Sequence, residues 1–352
     1  GGLSYREMIS KAAAMAYADA GIEASELDGA VSCEEDFVSG YSIADEYVPD
    51  QLGVQRKSVY TITGDFLHGL CSAAMQIETG QFKMLAVQAY SKASNILNKS
   101  DLLHFAFDPI YNRLGVSPNY LAGIEMQQFM EESEYSPLDV AEVVVRAKHR
   151  ARSNPLSAWG APFGHEEVLA SRPVATPVTE PMIAKPADGS VVIVLGTGEL
   201  AQEKARKPVY LSGTGWCSGN SVLERRDHAL SEGTAIAARM AFDEAGVEDP
   251  DKDLDVVYVS DLFAHRGLMH LDAMQYFDPS LASVNPDGGS LGMGDLLEAN
   301  GGVRLFDAVQ QLRGEAGAHQ VAGAKRIAVQ GWRGLPTDSC AVVVLDAERR
   351  NP

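Results

Sequence analysis

The chain has 352 residues, of which 45% are hydrophobic and 22% charged, a size suited to two globular domains or one duplicated unit. Its formal net charge of −19 argues against a nucleic-acid partner, because phosphate binding needs clustered lysine and arginine. No apolar run approaches the ~18–20 residues of a membrane span, so we expect no membrane partner either.

The cysteines and histidines argue against a metal site and against disulfides. The four cysteines are far apart and form no CxxC pair, and the eight histidines include no HxxxH or HExxH motif. We therefore expect no bound metal and no bound cofactor. Four unpaired thiols make a reducing, cytoplasmic setting the default.

The first part of the chain alternates between helix and strand patterns. The predicted elements are a helix over Leu3–Ala20, strands over Leu27–Cys33 and Val59–Thr63, a helix over Asp65–Thr79 and a strand over Met84–Ala89. A β-α-β succession implies parallel strands joined by a crossover helix. Because such domains usually open on a strand and this chain opens on a helix pattern, we expect that preceding residues are missing.

From Asn95 to about Pro186 the pattern loosens into helices and proline-containing loops, which is typical of a lid or a substrate-covering subdomain. Regular elements then return. The predicted ones are strands over 189–195, 208–216 and 254–264, helices over Glu232–Gly246 and Gly301–Arg313, and strands over 326–332 and 339–346.

One sequence pattern occurs twice in the chain. "AYADAGIEASELDGAV" and "AFDEAGVEDPDKDLDVVYV" both run from a helix through Ala-Gly and a turn into a strand. This internal repeat suggests a duplicated α/β domain. We expect an N-terminal half over 1–205, which includes a loop domain over about 95–186, and a C-terminal half over 206–352.

The stretch "VNPDGGSLGMGDLLEANGG" (Val284–Gly302) resembles the thiolase motif N-P-x-G-G followed by G-H-P-x-G-A-x-G. With "GQFKMLAVQAYSKAS" and "SDLFAHRGLMHLDAM", it makes the chain similar to the sterol-carrier-type and archaeal thiolase-like branch of the thiolase superfamily. The positions that keep the spacing are Asn285, Pro286, Gly288, Gly289, Gly294, Ala299 and Gly301.

The resemblance implies a five-layered α/β/α/β/α fold with two duplicated halves and an inserted loop domain over an acyl-CoA site. It implies coenzyme A as substrate or part of the substrate, and a homodimeric core. This branch often works with a separate small protein that carries a zinc ribbon and an OB-fold. Two-subunit 2-benzoylsuccinyl-CoA thiolase and the steroid side-chain aldolases are similar in this respect.

A thiolase needs a thiolate at a helix N-terminus, where the helix dipole lowers the thiol pKa. Counting back from Gly80 places that position at Thr63, which is no credible acyl-transfer nucleophile without a strong base. Cys71 lies two turns further into the helix, with His68 one turn away. Cys71 is therefore either a buried core cysteine or a relocated nucleophile paired with His68.

The histidine of the G-H-P motif is replaced by Asp295. A carboxylate cannot donate a hydrogen bond unless it is protonated, so its role must change. Asp295 is either a general base, helped by a raised pKa if partly desolvated, or a cap on the following turn. Glu298 replaces a motif glycine, so we expect a second carboxylate nearby.

Other family positions are also changed. The polar motif before Phe263 becomes Ser260-Asp261, and His265 follows as a proton-transfer candidate or a core or solvated histidine. Near the expected acid–base cysteine stand Trp332 and Arg333. Arg333 either holds a carboxylate or the CoA phosphates through a forked contact, or forms a surface salt bridge. We expect the substrate and CoA to contact Thr63, Gly288, Gly289, Trp332 and Arg333.

These changes leave three hypotheses open. The first is an enzyme that makes or breaks a C–C bond next to a CoA thioester without an acyl-enzyme, as in a retro-aldol step. The second is a thiolase or acyltransferase that uses Cys71, for which a bulky or dicarboxylic acyl-CoA would suit Arg333. The third is a non-catalytic acyl-CoA-binding subunit of a complex. The sequence alone does not choose between them.

Overall fold

The strands of this computed structural model form two four-stranded sheets and a two-stranded one in the residues it describes, which are 2–35, 44–96, 98–220, 222–278 and 280–349. The side chains of Ser100 and Phe105 are not described. The strands are β1 Gly29–Cys33, β2 Ser58–Ile62, β3 Met84–Lys92, β4 Pro173–Ala175, β5 Val178–Thr179, β6 Asp188–Gly196, β7 Tyr210–Cys217, β8 Val256–Tyr258, β9 Arg326–Trp332 and β10 Cys340–Asp346.

The described helices lie before, between and after these strands. They are α1 Tyr5–Ala20, α2 Ala44–Tyr47, α3 Pro49–Leu52, α4 Phe66–Glu78, α5 Lys99–Leu103, α6 Pro109–Arg113, α7 Pro118–Glu132, α8 Pro137–Ala151, α9 His165–Ala170, α10 Gly198–Lys204, α11 Glu232–Ala245, α12 Pro250–Asp253, α13 Ala264–Ala273, α14 Gly289–Met293 and α15 Asn300–Arg313. None of the described helices is long and apolar enough to cross a membrane.

The first sheet has the order β2-β1-β3-β6, and the second has the order β7-β10-β9-β8. β1 pairs in parallel with both β2 and β3, which confirms the predicted parallel β-α-β arrangement. β6 pairs with β3 in antiparallel orientation. In the second sheet β8 and β9 are parallel, and β10 is antiparallel to both β9 and β7.

Helices cover both faces of the sheets. A single hydrophobic cluster joins α4 and α15 to the two sheets, through Leu70, Leu305, Val87, Val329 and Val343 among others. The opposite face of the first sheet packs on α1, and that of the second packs on α11. This explains why β10 reads "CAVVVLD", a continuous apolar run buried along its whole length: neither of its faces meets water.

Two glycines let α11 lie directly on β7. A Cβ atom at Gly213 would lie 2.1 Å from the carbonyl oxygen of Ala241, and one at Gly215 would lie 2.0 Å from that of Ala237. The string "SGTGW" is therefore part of a strand, and its glycines permit close contact between helix and sheet.

The structure confirms the α/β class and most predicted elements, but the predicted strand over 254–264 is too long. β8 ends at Tyr258. The next two backbone N–H groups donate to side chains instead, from Val259 to Asn285 Oδ1 and from Ser260 to Gln330 Oε1. The chain then enters α13 at Ala264.

One buried carboxylate, Asp65, connects the N-termini of α4 and α15. Its Oδ1 accepts the N–H of Leu67 at 3.1 Å and so caps α4. Its Oδ2 accepts the N–H of Gly301, in the first turn of α15, at 2.8 Å, with Arg304 Nη2 3.8 Å away. Two helices that are far apart in sequence therefore begin side by side.

We expect Asp65→Ala to lower the free energy of unfolding by about 2–4 kcal/mol, because it removes a cap and leaves a second buried N–H without an acceptor. Urea unfolding at constant m-value measures the loss. The matched control is Asp108→Ala, which removes the exposed cap that accepts the N–H of Ile110 at 2.8 Å and should cost about 1 kcal/mol. Equal losses in the two variants would refute the dual role of Asp65.

Candidate active site

A cavity of about 320 Å³ lies at the N-terminal ends of α4 and α15. Residues that follow strands of both sheets line it: Glu35 after β1, Gly64 after β2, Ala93 after β3, Phe263 after β8 and Arg333 after β9. The other described lining residues are Asp65, Ile96, Asn98, Lys99, Leu103, Pro118, Asn119, Ile183, Ala184, Pro186, Leu262, Asp295, Leu297, Glu298, Asn300, Trp332, Gly334 and Leu335. In α/β proteins, ligands commonly bind at the carboxyl ends of strands.

Glu298 is the most perturbed carboxyl group in this lining. It lies in the turn just before α15 and is only 9% exposed. Burial raises its pKa to about 8, and the nearby Glu35 adds to the shift. Its Oε2 atom has no hydrogen-bond partner among the described residues. A carboxyl group with these properties can both donate and accept a proton near neutral pH.

Asp295, three residues earlier, has the opposite electrostatics. Burial opposes its ionisation, but the ion pair with Lys99, together with hydrogen bonds from Asn300 and Leu297, lowers its pKa below the ordinary value. The raised pKa that would help Asp295 act as a general base is therefore not found. Its Oδ1 accepts the N–H of Leu297 at 3.0 Å, as the alternative of a turn cap predicted.

Trp332 and Arg333, two of the residues expected to contact substrate and CoA, both line the cavity. The Trp332 ring is buried and carries the Arg266 guanidinium 4.5 Å above its centroid. Arg333 donates from Nε to Glu35 Oε1, so its charge is already paired with a buried carboxylate. Arg333 is exposed and Glu35 is buried, so this salt bridge lies in the cavity wall at the protein surface, as the salt-bridge alternative for Arg333 predicted.

Cys71 lies away from the cavity, in the hydrophobic core between α4 and the two sheets. Its side chain is 1% exposed, and burial raises its thiol pKa to about 12. His68 does not assist it: the His68 Nδ1 atom lies 3.2 Å from the backbone oxygen of Asp65, and burial lowers the ring pKa. The structure thus favours the core interpretation of Cys71. Thr63 is exposed and is not among the lining residues.

His265 lies in the protein core and is not part of the cavity lining. Its ring is fully buried beside Glu125, with 3.6 Å between Nε2 and Oε2, and burial lowers its pKa. It is a core histidine, and the expectation of proton transfer in the cavity is wrong for it, although Phe263, two residues earlier, is part of the lining.

Ser260 and Asp261 are buried and lie outside the cavity lining. Asp261 Oδ1 accepts the N–H of Ser290 at 2.5 Å, and burial raises its pKa to about 6. A Cβ atom at Gly289 would lie 2.3 Å from Asp261 Oδ2, and one at Gly288 would lie 3.0 Å from the carbonyl oxygen of Ala147. The glycine motif therefore serves close packing here, and neither glycine lines the cavity.

Among the ionisable lining residues, sequence reasoning missed three: Glu35, Asp65 and Lys99. A signal existed for the first two, because each follows a predicted strand, and the carboxyl ends of parallel strands meet at one sheet edge. Lys99 lies in the loop segment, where no local sequence pattern marks it as a site residue. In the described part of the chain, no group of three or more His, Cys, Asp or Glu residues could hold a metal ion.

We expect Glu298→Gln to stabilise the protein progressively as the pH rises. The folded-state pKa of about 8 exceeds the ordinary 4.5. Below pH 4.5 the proton is bound in both the folded and the unfolded chain, and its contribution to stability is fully present. As the pH rises through 8 this contribution is lost, because the folded chain then also gives up the proton that it holds more tightly than the unfolded chain does. The variant does not titrate, and between pH 5 and pH 9 it should gain on the order of a few kcal/mol relative to the unmodified chain.

Urea unfolding at pH 5, 7 and 9 measures this change. Glu315→Gln is the control, because Glu315 pairs with Arg206 at the surface. A difference between Glu298→Gln and the unmodified chain that stays constant with pH would show that Glu298 titrates normally.

Alkylation of the native chain should label Cys217 alone, because Cys217 is partly exposed while Cys33, Cys71 and Cys340 are buried. Intact mass measures the number of labels, and Cys217→Ser should abolish labelling until the chain is unfolded. Labelling of Cys71 in the folded protein would contradict its placement in the core.

No family model matches the chain. It is 27% identical over 349 residues to the acetyl-CoA acetyltransferase of Methanothermobacter thermautotrophicus, covering 92% of the chain and 90% of that protein. It is 25% identical over 219 residues to benzoylsuccinyl-CoA thiolase subunit BbsB of Thauera aromatica, covering 58% of the chain and 56% of that subunit.

Two solved structures share the fold along 99% of the chain. The Ltp2-ChsH2(DUF35) aldolase matches with a TM-score of 0.83 at 20% identity, over 94% of that chain. A monomeric SCP2-thiolase like protein type 1 from Mycobacterium smegmatis matches with a TM-score of 0.77 at 16% identity, over 75% of that chain. The predicted resemblance is confirmed: the chain is similar to the SCP2-thiolase-like branch of the thiolase superfamily, a family of acyl-CoA enzymes.

Proposed function

We propose that the chain is an enzyme that breaks or forms a C–C bond next to the thioester of an acyl-CoA, by a retro-aldol or aldol step without an acyl-enzyme. The observation that carries the proposal is the cavity itself. Its described lining contains a buried carboxyl group with a pKa of about 8, Glu298, and no cysteine. All four cysteines are placed elsewhere, three of them buried.

The proposed step uses one proton and returns it. In cleavage, the Glu298 carboxylate takes the proton of the β-hydroxyl group of a β-hydroxyacyl-CoA. The Cα–Cβ bond then breaks, its electron pair moves into the thioester as an enolate, and an aldehyde or ketone leaves. The Glu298 carboxyl group returns the proton to Cα and so completes the acyl-CoA product.

The enolate oxygen carries the charge that must be stabilised. The N-terminal ends of α4 and α15 lie at the cavity, where Asp65 accepts one N–H of each helix, and the positive ends of the two dipoles favour an anion there. Lys99 and Arg333 lie in the cavity wall, but each is paired with a carboxylate, so the helix ends are the main source of positive potential. Asp295 stands where the family has the histidine that donates to the thioester carbonyl. In the proposed step, the positive potential of the helix ends takes the place of that hydrogen-bond donor.

The same proposal includes the assembly that the resemblance implies. We take the chain as a five-layered α/β/α/β/α unit, with halves over 1–205 and 206–352 and a loop domain over about 95–186. We expect a homodimeric core that works with a small zinc-ribbon/OB-fold protein. The relatives support this: one matching structure is the Ltp2-ChsH2(DUF35) aldolase, and BbsB is a thiolase subunit.

Retro-aldol activity is tested by incubating β-hydroxyacyl-CoAs with the chain, in the absence and presence of a zinc-ribbon/OB-fold protein, and measuring acyl-CoA and carbonyl product. We expect kcat/KM for cleavage to rise with pH and to level off above about pH 8, because the ionised Glu298 is the base. Glu298→Gln should lower kcat/KM at least ~10²-fold. Full activity in this variant would remove Glu298 from the mechanism.

Intact mass after incubation with acyl-CoAs separates the other hypotheses. We expect no adduct, because the Cys71 thiol is buried. An adduct that disappears in Cys71→Ala would establish a thiolase with a relocated nucleophile. Acyl-CoA binding without turnover under every condition would identify a non-catalytic subunit.

A further inference from the structure

We infer that the acyl group accepted by this cavity is uncharged, so that a hydrophobic acyl-CoA is strongly preferred over one with a carboxylate at the far end of its acyl chain. The inference deepens the proposed function and rests on its claim that the cavity holds the acyl group of an acyl-CoA. It depends on how the charged side chains of the cavity lining are already paired.

The described lining contains two cations, and Lys99 is the first. Its Nζ pairs with Asp295 Oδ2, and the Asp295 side chain is only 10% exposed. Asp295 is held from its other side by the N–H of Leu297 and the amide of Asn300, each at 3.0 Å. Asp295 is therefore a fixed counter-ion that cannot easily turn away from Lys99.

Arg333 is the second cation. Its Nε donates to Glu35 Oε1, and the Glu35 side chain is 7% exposed. A substrate carboxylate that displaced Glu35 would leave a buried carboxylate without its partner, which costs as much as the new contact gains. The sequence suggested that Arg333 would suit a dicarboxylic substrate, but its pairing with Glu35 removes that advantage.

The remaining ionisable groups of the lining are acids. Glu298 and Asp65 add two carboxyl groups to Glu35 and Asp295, against two cations. The side chains of the lining therefore offer no excess positive charge to the carboxylate of an acyl chain. A substrate carboxylate would add a fifth acid to a lining that already holds four acids and two cations, and like charges repel.

An apolar wall faces these charges. Leu103, Ile183, Leu262, Phe263, Trp332 and Leu335 line the same cavity, and Trp332 and Leu335 are almost fully buried. Burial of alkyl carbons against such a surface is favourable by ~25 cal/mol per Å². Contact with this cavity therefore favours a hydrocarbon chain and disfavours a charged one. We expect the binding affinity itself, apart from any turnover, to be higher for the uncharged acyl-CoA.

The test compares adipoyl-CoA with 6-methylheptanoyl-CoA, whose branched end has the shape of the carboxylate but no charge. Isothermal titration of the unmodified chain should give at least ~10-fold tighter binding of the branched acyl-CoA, because an unpaired buried charge costs more than 1.4 kcal/mol. Equal affinities, or tighter binding of adipoyl-CoA, would overturn the inference. Binding of neither compound would instead refute the proposed acyl-CoA site.

A variant tests whether the pairing of Arg333 with Glu35 causes this preference. Glu35→Gln releases Arg333 from its counter-ion, so it should bind adipoyl-CoA at least ~10-fold more tightly than the unmodified chain and 6-methylheptanoyl-CoA about equally. Glu315→Gln is the matched control, because it removes a paired glutamate at the surface and should change neither affinity. Unchanged discrimination in a folded Glu35→Gln protein would show that the pairing of Arg333 does not set the preference.

Discussion

The arrangement of the site depends on one buried carboxylate, that of Asp65. It caps α4 and accepts an N–H of α15, so the two central helices must begin at the same place. Two glycines make room for it: a Cβ at Gly301 would lie 2.0 Å from Asp65 Oδ1, and one at Gly331 would lie 2.1 Å from it. The cavity lies where these helix ends meet, between sheet edges that belong to different parts of the chain.

Two carboxyl groups three residues apart differ in their electrostatics because their neighbours differ. Asp295 faces Lys99 and two hydrogen-bond donors, so it stays ionised. Glu298 has no such partner for Oε2 and lies near Glu35, so burial dominates and favours its protonated form. The segment that in thiolases supplies a histidine thus supplies one fixed anion and one exchangeable proton.

The wall of the cavity opposite the helix ends is held by a buried ionic cluster. Arg266 pairs with Glu125 from α7 and with Asp338 ahead of β10, and its guanidinium lies over the Trp332 ring. Such a cluster is costly to desolvate, and removal of one member would leave the others unpaired. It fixes the loop segment, α13 and Trp332 relative to one another, and so fixes the apolar surface that we propose for the acyl group.

Periodicity, turns and motif spacing are local, so the amino-acid sequence predicts the succession of strands and helices, the parallel β-α-β unit and the resemblance to the thiolase superfamily. It also indicated a second carboxylate near Asp295. It could not choose between the roles of Cys71, His265 and Asp295. The evidence on these roles comes from burial and from partners far away in sequence, which are visible in the folded chain alone. Lys99 meets Asp295 across 196 positions and Arg333 meets Glu35 across 298, through a packing of sheets that no local pattern encodes.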